Sequence, residues 1–314
     1  MNNDLSKPIW SRLPVLVVTA FFCCLLWGSA SPAIKIGYEM FDIGASDTAS
    51  RILFAGSRFI IAGIMVIIFG SIISRKFLAL KKESLKYVLI LSCFQTILQY
   101  IFFYMALAYT SGVRGSIINA AGTFFSIFLA VYLFHFENMS AKKAVGSLLG
   151  FAGVVLIVSA GNLTSLSGSF SIQGEGAMLV AAFVNAFSGC FIKLFSAKED
   201  PVVLSGYQFF FGGIVMVIIG LLLGGELHLM SVFSIPLLIY MAFISAGAYT
   251  LWGVLLKYNP VSHVTVLGFM NPVLGVLLSA IFLNEGSEAL NALTIVSLLL
   301  VVLGIYVVNK PAKA

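Results

Sequence analysis

RFIIAGIMVIIFG, residues 58–70, returns as QFFFGGIVMVIIG at residues 208–220. NAAGTFFSIFLAVYLFHFE, residues 119–137, is echoed by LGFMNPVLGVLLSAIFLNE, residues 267–285. These paired stretches are apolar, so one membrane-crossing module is written twice. A module that crosses the bilayer an odd number of times must sit in opposite orientations in its two copies. That arrangement places a substrate site at the interface of the repeats and lets it open to either side.

The rest of the chain fits a membrane protein. Its 314 residues are 60% hydrophobic and 10% charged, with a mean hydropathy of +1.07. Soluble domains carry about 25% charged residues, so this surface cannot be solvated by water. A spanning helix needs about 20 apolar residues, and ten such stretches can be read. They run over 14–37, 52–73, 86–108, 112–134, 144–160, 176–196, 202–223, 235–256, 264–283 and 290–308. The expected class is an all-α integral membrane protein of about ten transmembrane helices in two inverted five-helix repeats. The expected division is a cytoplasmic N-terminus (1–13), a first repeat (14–160), an extracytoplasmic linker (161–175), a second repeat (176–309) and a cytoplasmic C-terminus (310–314). Lys7 and Arg12 before an apolar run resemble a signal peptide, but that run is longer than the 7–15 residues of a signal core.

Cation placement gives the orientation. With the N-terminus in the cytoplasm, the inner segments hold Lys7, Arg12, Arg75, Lys76, Lys81, Lys82, Lys86, Lys142, Lys143, Lys198, Lys257, Lys310 and Lys313, and the outer ones only Arg51 and Arg114. The expectation is a multi-pass protein of the cell membrane with both termini cytoplasmic. The net charge of +6 is thus a topology signal and not a nucleic-acid footprint. Cys23, Cys24, Cys93 and Cys190 lie in apolar runs without metal-ligand spacing, and His135, His228 and His263 are scattered, so neither a metal nor another cofactor is expected.

Polar anchors test the duplication, because they are rare in spans. Lys35 (AIKIG) and Lys193 (FIKLF) close the first span of each half. Arg58 matches Gln208, Tyr100 matches Tyr249, and Glu137 matches Glu285. In this order, WGSASPAIKIG from Trp27, the Arg58 run, and the closing FENMS and LNEGS resemble the two tandem EamA domains of the drug/metabolite transporter superfamily. The resemblance covers residues 14–309. It implies a ten-helix inverted-repeat carrier that exports or exchanges metabolites without nucleotide hydrolysis. One departure stands out: the fourth span lacks the family's proline near Thr123, whereas the ninth keeps Asn271–Pro272, which predicts lopsided helix breaking.

Candidate cavity residues follow from polarity at mid-depth. Gln95 and Gln99, one turn apart, with Tyr100 and Tyr104 beside them, make a polar-aromatic face; interhelical hydrogen bonding is the alternative. Tyr249 and Trp252 occupy matching positions in the eighth span. Trp27 and Ser29, followed by the helix-bending Pro32, suit a cavity wall or a tight helix contact. Asn119 with Thr123, and Asn185 with Ser188, share faces that suit the same space. Asn271 and Pro272 form a break that exposes polar atoms. Arg58 reads as an anion clamp, as a snorkelling side chain or as the partner of an outer acidic residue such as Glu39, and Lys35 and Lys193 read as snorkelling. Glu137 and Glu285, at span ends, are caps or gates.

No carboxylate falls in the middle third of a span, which points to a uniporter or exchanger without obligatory proton coupling. The expected partners are a small-molecule substrate and the lipid bilayer, not nucleic acid, in a monomer or homodimer. The leading function is a secondary transporter exporting or exchanging amino acids or similar amphipathic metabolites by alternating access. The alternatives are an exchanger of nucleotide-sugars or phosphorylated metabolites, a channel, or an integral-membrane enzyme. The last lacks HExxH, GxSxG or a paired intramembrane Asp, and GxxxxGK[ST] is absent too.

Overall fold

A computed structural model describes residues 8–136, 138–163, 170–259, 264, 267, 268 and 270–309, with side chains omitted at 159–163 and 308–309. Among these residues the chain is helical throughout. Eight helices are long and apolar enough to cross a membrane: α1 (Leu13–Met40), α2 (Thr48–Ser74), α3 (Lys82–Tyr109), α4 (Gly112–Leu133), α5 (Ala141–Val158, continuing to Leu163), α6 (Ile172–Phe195), α7 (Pro201–Leu222) and α8 (Ser234–Tyr258). Two shorter apolar helices follow, α9 (Met270–Phe282) and α10 (Ala292–Asn309). At 1.5 Å per residue α1 is about 42 Å long, enough for the core and one headgroup layer.

Local chemistry sets the ends. Asp47 accepts a hydrogen bond from the Ser50 N–H at 2.9 Å and caps α2. Asp200 caps α7 in the same way, with Pro201 pre-set in its first turn, and Ser111 caps α4. These side chains satisfy donors that a helix start leaves unpaired. Arg75 ends α2 in the left-handed conformation at φ 52°. Gly224, at φ 82°, turns the chain after α7.

The helices pack as two matched sets. Residues 13–163 supply α1 to α5 and residues 172–309 supply α6 to α10. α2 lies along α7, and α5 along α10. α1 packs on α8 and α9, and its counterpart α6 packs on α3 and α4. The α2–α7 crossing is the closest. A methyl on Gly56 would sit 2.9 Å from the Gly213 carbonyl oxygen, and one on Gly63 would sit 2.7 Å from the Gly206 oxygen. As the number rises along α2 it falls along α7, so the two helices run antiparallel. Gly56 pairs with Gly213 and Gly63 with Gly206, and adding 150 to one pair's α2 residue gives the other pair's α7 residue. The contact is therefore its own image under an approximate twofold. The same holds for α5 and α10, where Gly153 meets the Ser297 carbonyl and Gly304 meets Gly146 and Gly150.

α4 breaks at Ala120, between Gly112–Asn119 and Ala121–Phe128, without any proline. The Ala120 N–H donates to Ile117 O, and the Thr123 N–H to Ala120 O, both three residues back. In α9 the Asn271 N–H reaches the Gly268 carbonyl at 3.0 Å just before Pro272. A bond three residues back thus stands at the corresponding point of each half, in α4 without a proline and before α9 with one. Local tightening of the ladder replaces the imino ring in α4.

The glycine crossing is testable. Gly213→Leu drives a side chain into the α2 backbone and costs about 3 kcal/mol or prevents folding; Gly286→Ala, where nothing lies within 4 Å, leaves thermal unfolding in lipid nanodiscs unchanged.

Candidate functional site

Arg58 lies at the centre of the α2 face that meets α3 and α8, and it is fully buried. Its Nε donates to Met241 O at 2.8 Å, its Nη1 to the Tyr104 hydroxyl at 2.9 Å and its Nη2 to Ser245 Oγ at 2.7 Å. The guanidinium also lies over the rings of Phe59 and Tyr100. It neither snorkels nor pairs with Glu39. The mirror position holds Gln208, whose Nε2 donates to Gln95 Oε1 at 2.6 Å and whose Oε1 accepts from the Thr96 hydroxyl at 3.0 Å. Each side chain thus ties the glycine crossing to the third helix of the opposite half.

Beside this tie is a cavity of about 410 Å³. Its walls come from α1, α3, α4, α6 and α8, with Lys143 of α5 and with Gly268, Asn271 and Pro272 around the α9 start. Trp27, Gln95, Gln99, Tyr100, Asn119, Thr123, Asn185, Tyr249, Trp252, Asn271 and Pro272 all border it. Tyr249 Oη accepts from Gln99 Nε2 at 3.1 Å and is hydrogen-bonded to Tyr100 Oη at 2.8 Å. Trp27 meets Tyr249 and Trp252 edge-on at 5.2 and 5.0 Å between ring centroids. The other predicted residues lie elsewhere. Ser29 bonds the Tyr240 hydroxyl on the outer surface of α1. Tyr104 is held by Arg58, and Ser188 turns back on Asn185 O at 2.7 Å. Pro32 is buried inside α1. Glu137 and His263 fall outside the described residues.

The cavity lining extends to Phe136, Lys143, Lys193 and Leu256 at one end of the bundle and includes none of Lys35, Gly112, Ser279 or Glu285 at the other. Trp10, Tyr258 and Asn259 meet at the first of these ends, where the Asn259 amide donates to Trp10 O at 2.9 Å. It also carries Lys143 and Lys193 on the cavity wall; we call it the basic face. Here Ser84 donates to Glu199. Burial works against ionisation of that carboxyl, but bonds from Ser84 and the Asp200 N–H, with Lys81 and Lys257 nearby, hold it below its ordinary pKa.

At the far face the helices close. Ser279 and Leu283 of the α9 end fill the space over Gly112, and Ser116 packs against Gly275. Glu285 takes the Gly112 and Val113 N–H groups at 3.0 and 2.9 Å, capping α4, and Lys35 stands 3.6 Å from its carboxylate. A carboxylate at a helix N-terminus is favoured by the unpaired N–H groups and the dipole. Arg114 pairs with Glu175 at 3.2 Å, both buried, and Thr110 adds a bond at 2.9 Å. Glu288, beside this cluster, is held above its ordinary pKa by burial. Its Ser111 hydrogen bond works against that rise, the neighbouring Glu285 adds to it, and Arg114 and Lys35 oppose it. The sequence reading missed Arg114 and Glu175. It also assigned Lys35 and Lys193 to snorkelling, whereas one is in an ion pair and the other lines the cavity. Among the described residues no group of three His, Cys, Asp or Glu stands close enough to hold a metal.

Comparison with known proteins agrees with this geometry. The profile of the EamA-like transporter family matches residues 15–159 and again 172–310. A chloroplastic WAT1-related protein of Arabidopsis thaliana is 27% identical over 95% of this chain and 69% of its own length. The uncharacterized transporter YvbV of Bacillus subtilis is 26% identical over 93% and 91%. A probable amino-acid metabolite efflux pump of Escherichia coli is 26% identical over 92% and 93%. A solved crystal structure shares the fold with a TM-score of 0.65, at 16% identity, over 94% of this chain and 96% of that one.

Arg58→Ala leaves Met241 O, Tyr104 and Ser245 without their donor in a dry interior. It costs about 3 kcal/mol, read as a lower unfolding temperature in detergent; an unchanged temperature removes Arg58 from the framework.

Proposed function

We propose, from the premise that this chain belongs to the EamA-like transporter family, that it is a secondary carrier working by alternating access. It is a multi-pass membrane protein that moves small metabolites, and the substrates we assign are amino acids or similar amphipathic compounds. Substrate binds in the central cavity among Trp27, Gln95, Gln99, Asn119, Asn185, Tyr249 and Asn271. The halves of five spans each lie inverted in the membrane, with the basic face toward the cytoplasm, as the cation bias of the loops supports.

One observation carries this reading: a polar-aromatic cavity lies between the two halves, and its lining runs to Lys143 and Lys193 but includes none of the residues that meet at the far face, Lys35, Gly112, Ser279 and Glu285. α4 and α9 touch at the far face, where Gly112 faces Ser279, while Ala130 of α4 and Asn271 of α9 both line the cavity. A small rotation of one half about the glycine crossing would exchange open and closed ends. A continuous channel would need both ends open at once. Exchange of nucleotide-sugars would need cations deep in the site, and Arg58 is spent on Met241, Tyr104 and Ser245. The absence of a mid-span carboxylate supports transport without obligatory proton coupling.

Purified protein in liposomes preloaded with an amino-acid mixture should give saturable counterflow of radiolabelled amino acids at zero membrane potential and without a pH gradient. Flux that never saturates, or strict dependence on an imposed pH gradient, contradicts the proposal.

A further inference from the structure

Among the described residues, the cavity wall carries two cations and no carboxylate. Lys143 Nζ is committed to Asn138 O at 2.8 Å. Lys193 is partly buried, and its ammonium has no ion-pair or hydrogen-bond partner among the described residues. The remaining polar side-chain groups on the described wall are amides, hydroxyls, two indoles and a thiol. On leaving water for this protein-lined cavity, a substrate ammonium would find only neutral acceptors, and its lost hydration would go largely unreturned. A carboxylate would find Lys193. Aromatic faces attract cations on their own, but the two ammonium groups on the wall repel a third.

The far face supplies the complementary half of the observation. Lys35 occupies in α1 the place that Lys193 occupies in α6: each follows an isoleucine near the C-terminal end of the first helix of its half. On the closed side Lys35 is held against Glu285, which in turn caps α4. On the open side Lys193 is on the cavity wall. The two lysines stand toward opposite ends of the bundle, Lys35 ion-paired and Lys193 without a partner among the described residues.

Resting on the carrier reading above, we propose that the transported compounds are small organic carboxylates with an apolar or aromatic body, held by Lys193 when the basic face is open and by Lys35 when the far face is open. Each lysine is withdrawn from substrate as its own mouth closes. The aromatic group around Trp27 takes the body, and the amides of Gln95, Asn119 and Asn185 take further polar substituents. Net anions bind ahead of zwitterions, and free amines last.

The probes are 3-phenylpropanoate and hexanoate, each compared with its carboxamide and its primary amine. Thermal shift of the purified protein measures binding, and counterflow from each face of oriented proteoliposomes measures transport. The carboxylates should bind about tenfold more tightly than the matched amides, a usual effect of one charge-assisted contact, with the amines weakest. Lys193→Gln should bring carboxylate affinity at the basic face down to that of the amide, while Lys193→Arg preserves the preference. Lys35→Gln should do the same at the far face alone. Amides or amines that bind as well as carboxylates, or a preference that survives Lys193→Gln, overturn the charge assignment and leave the carrier intact. Failure of all six compounds to bind while amino-acid counterflow persists overturns the assignment too; failure of both sinks the carrier reading with it.

Discussion

The fold depends on two bare stretches of backbone touching. At Gly56 against Gly213, and at Gly63 against Gly206, no side chain separates α2 from α7. In lipid there is little hydrophobic gain from helix association, so close packing and buried hydrogen bonds must hold helices together. The antiparallel run of these two equivalent helices makes the approximate twofold a direct packing fact. A second self-paired contact, α5 with α10, repeats it at the periphery. With both pairs fixed, the first, third and fourth helices of each half are left to enclose the space between them.

The departures from symmetry are what make the molecule specific. Arg58 and Gln208 do equivalent structural work with different chemistry. The arginine bonds three acceptors on α3 and α8, while the glutamine bonds Gln95 and Thr96. A buried charge without a carboxylate partner is tolerable here because every guanidinium nitrogen is bonded and two rings lie beneath it. The ends differ in the same spirit. Carboxylates and helix starts seal the far face, whereas at the basic face the described cavity wall carries only lysines. Asymmetry of state, not of fold, is thus visible in a single conformation.

Most of the architecture was legible in the sequence because the rule behind it is simple. Backbone groups in hydrocarbon must be paired internally, so apolar runs of span length become helices. The residues that line the cavity were also readable in large part, since polar groups at mid-depth must face protein or water. Trp27, Gln99, Asn119, Tyr249 and Asn271 were chosen that way. Ser29 and Tyr104 satisfied the same rule and do not border the cavity. Depth is fixed by position along a helix, but the direction a side chain faces depends on a neighbour the sequence does not place. The break in α4 was hidden for a related reason: three-residue-back bonds at Ala120 and Thr123 carry no compositional mark. Arg114 and Glu175 lie 61 residues apart in the chain, and no periodicity could join them.

Alternation requires α4 and α9 to separate at the far face, where a methyl on Gly112 would lie 3.1 Å from the Ser279 Cβ. That is close to the Cβ separation of a disulfide, about 3.8 Å. In a background with Cys23, Cys24, Cys93 and Cys190 replaced by alanine, Gly112→Cys with Ser279→Cys can be bridged by oxidation. The bridged protein should bind substrate from the basic face with unchanged affinity, yet show no counterflow until a reductant restores it. Counterflow at the full rate through fully bridged protein would contradict alternating access at this site.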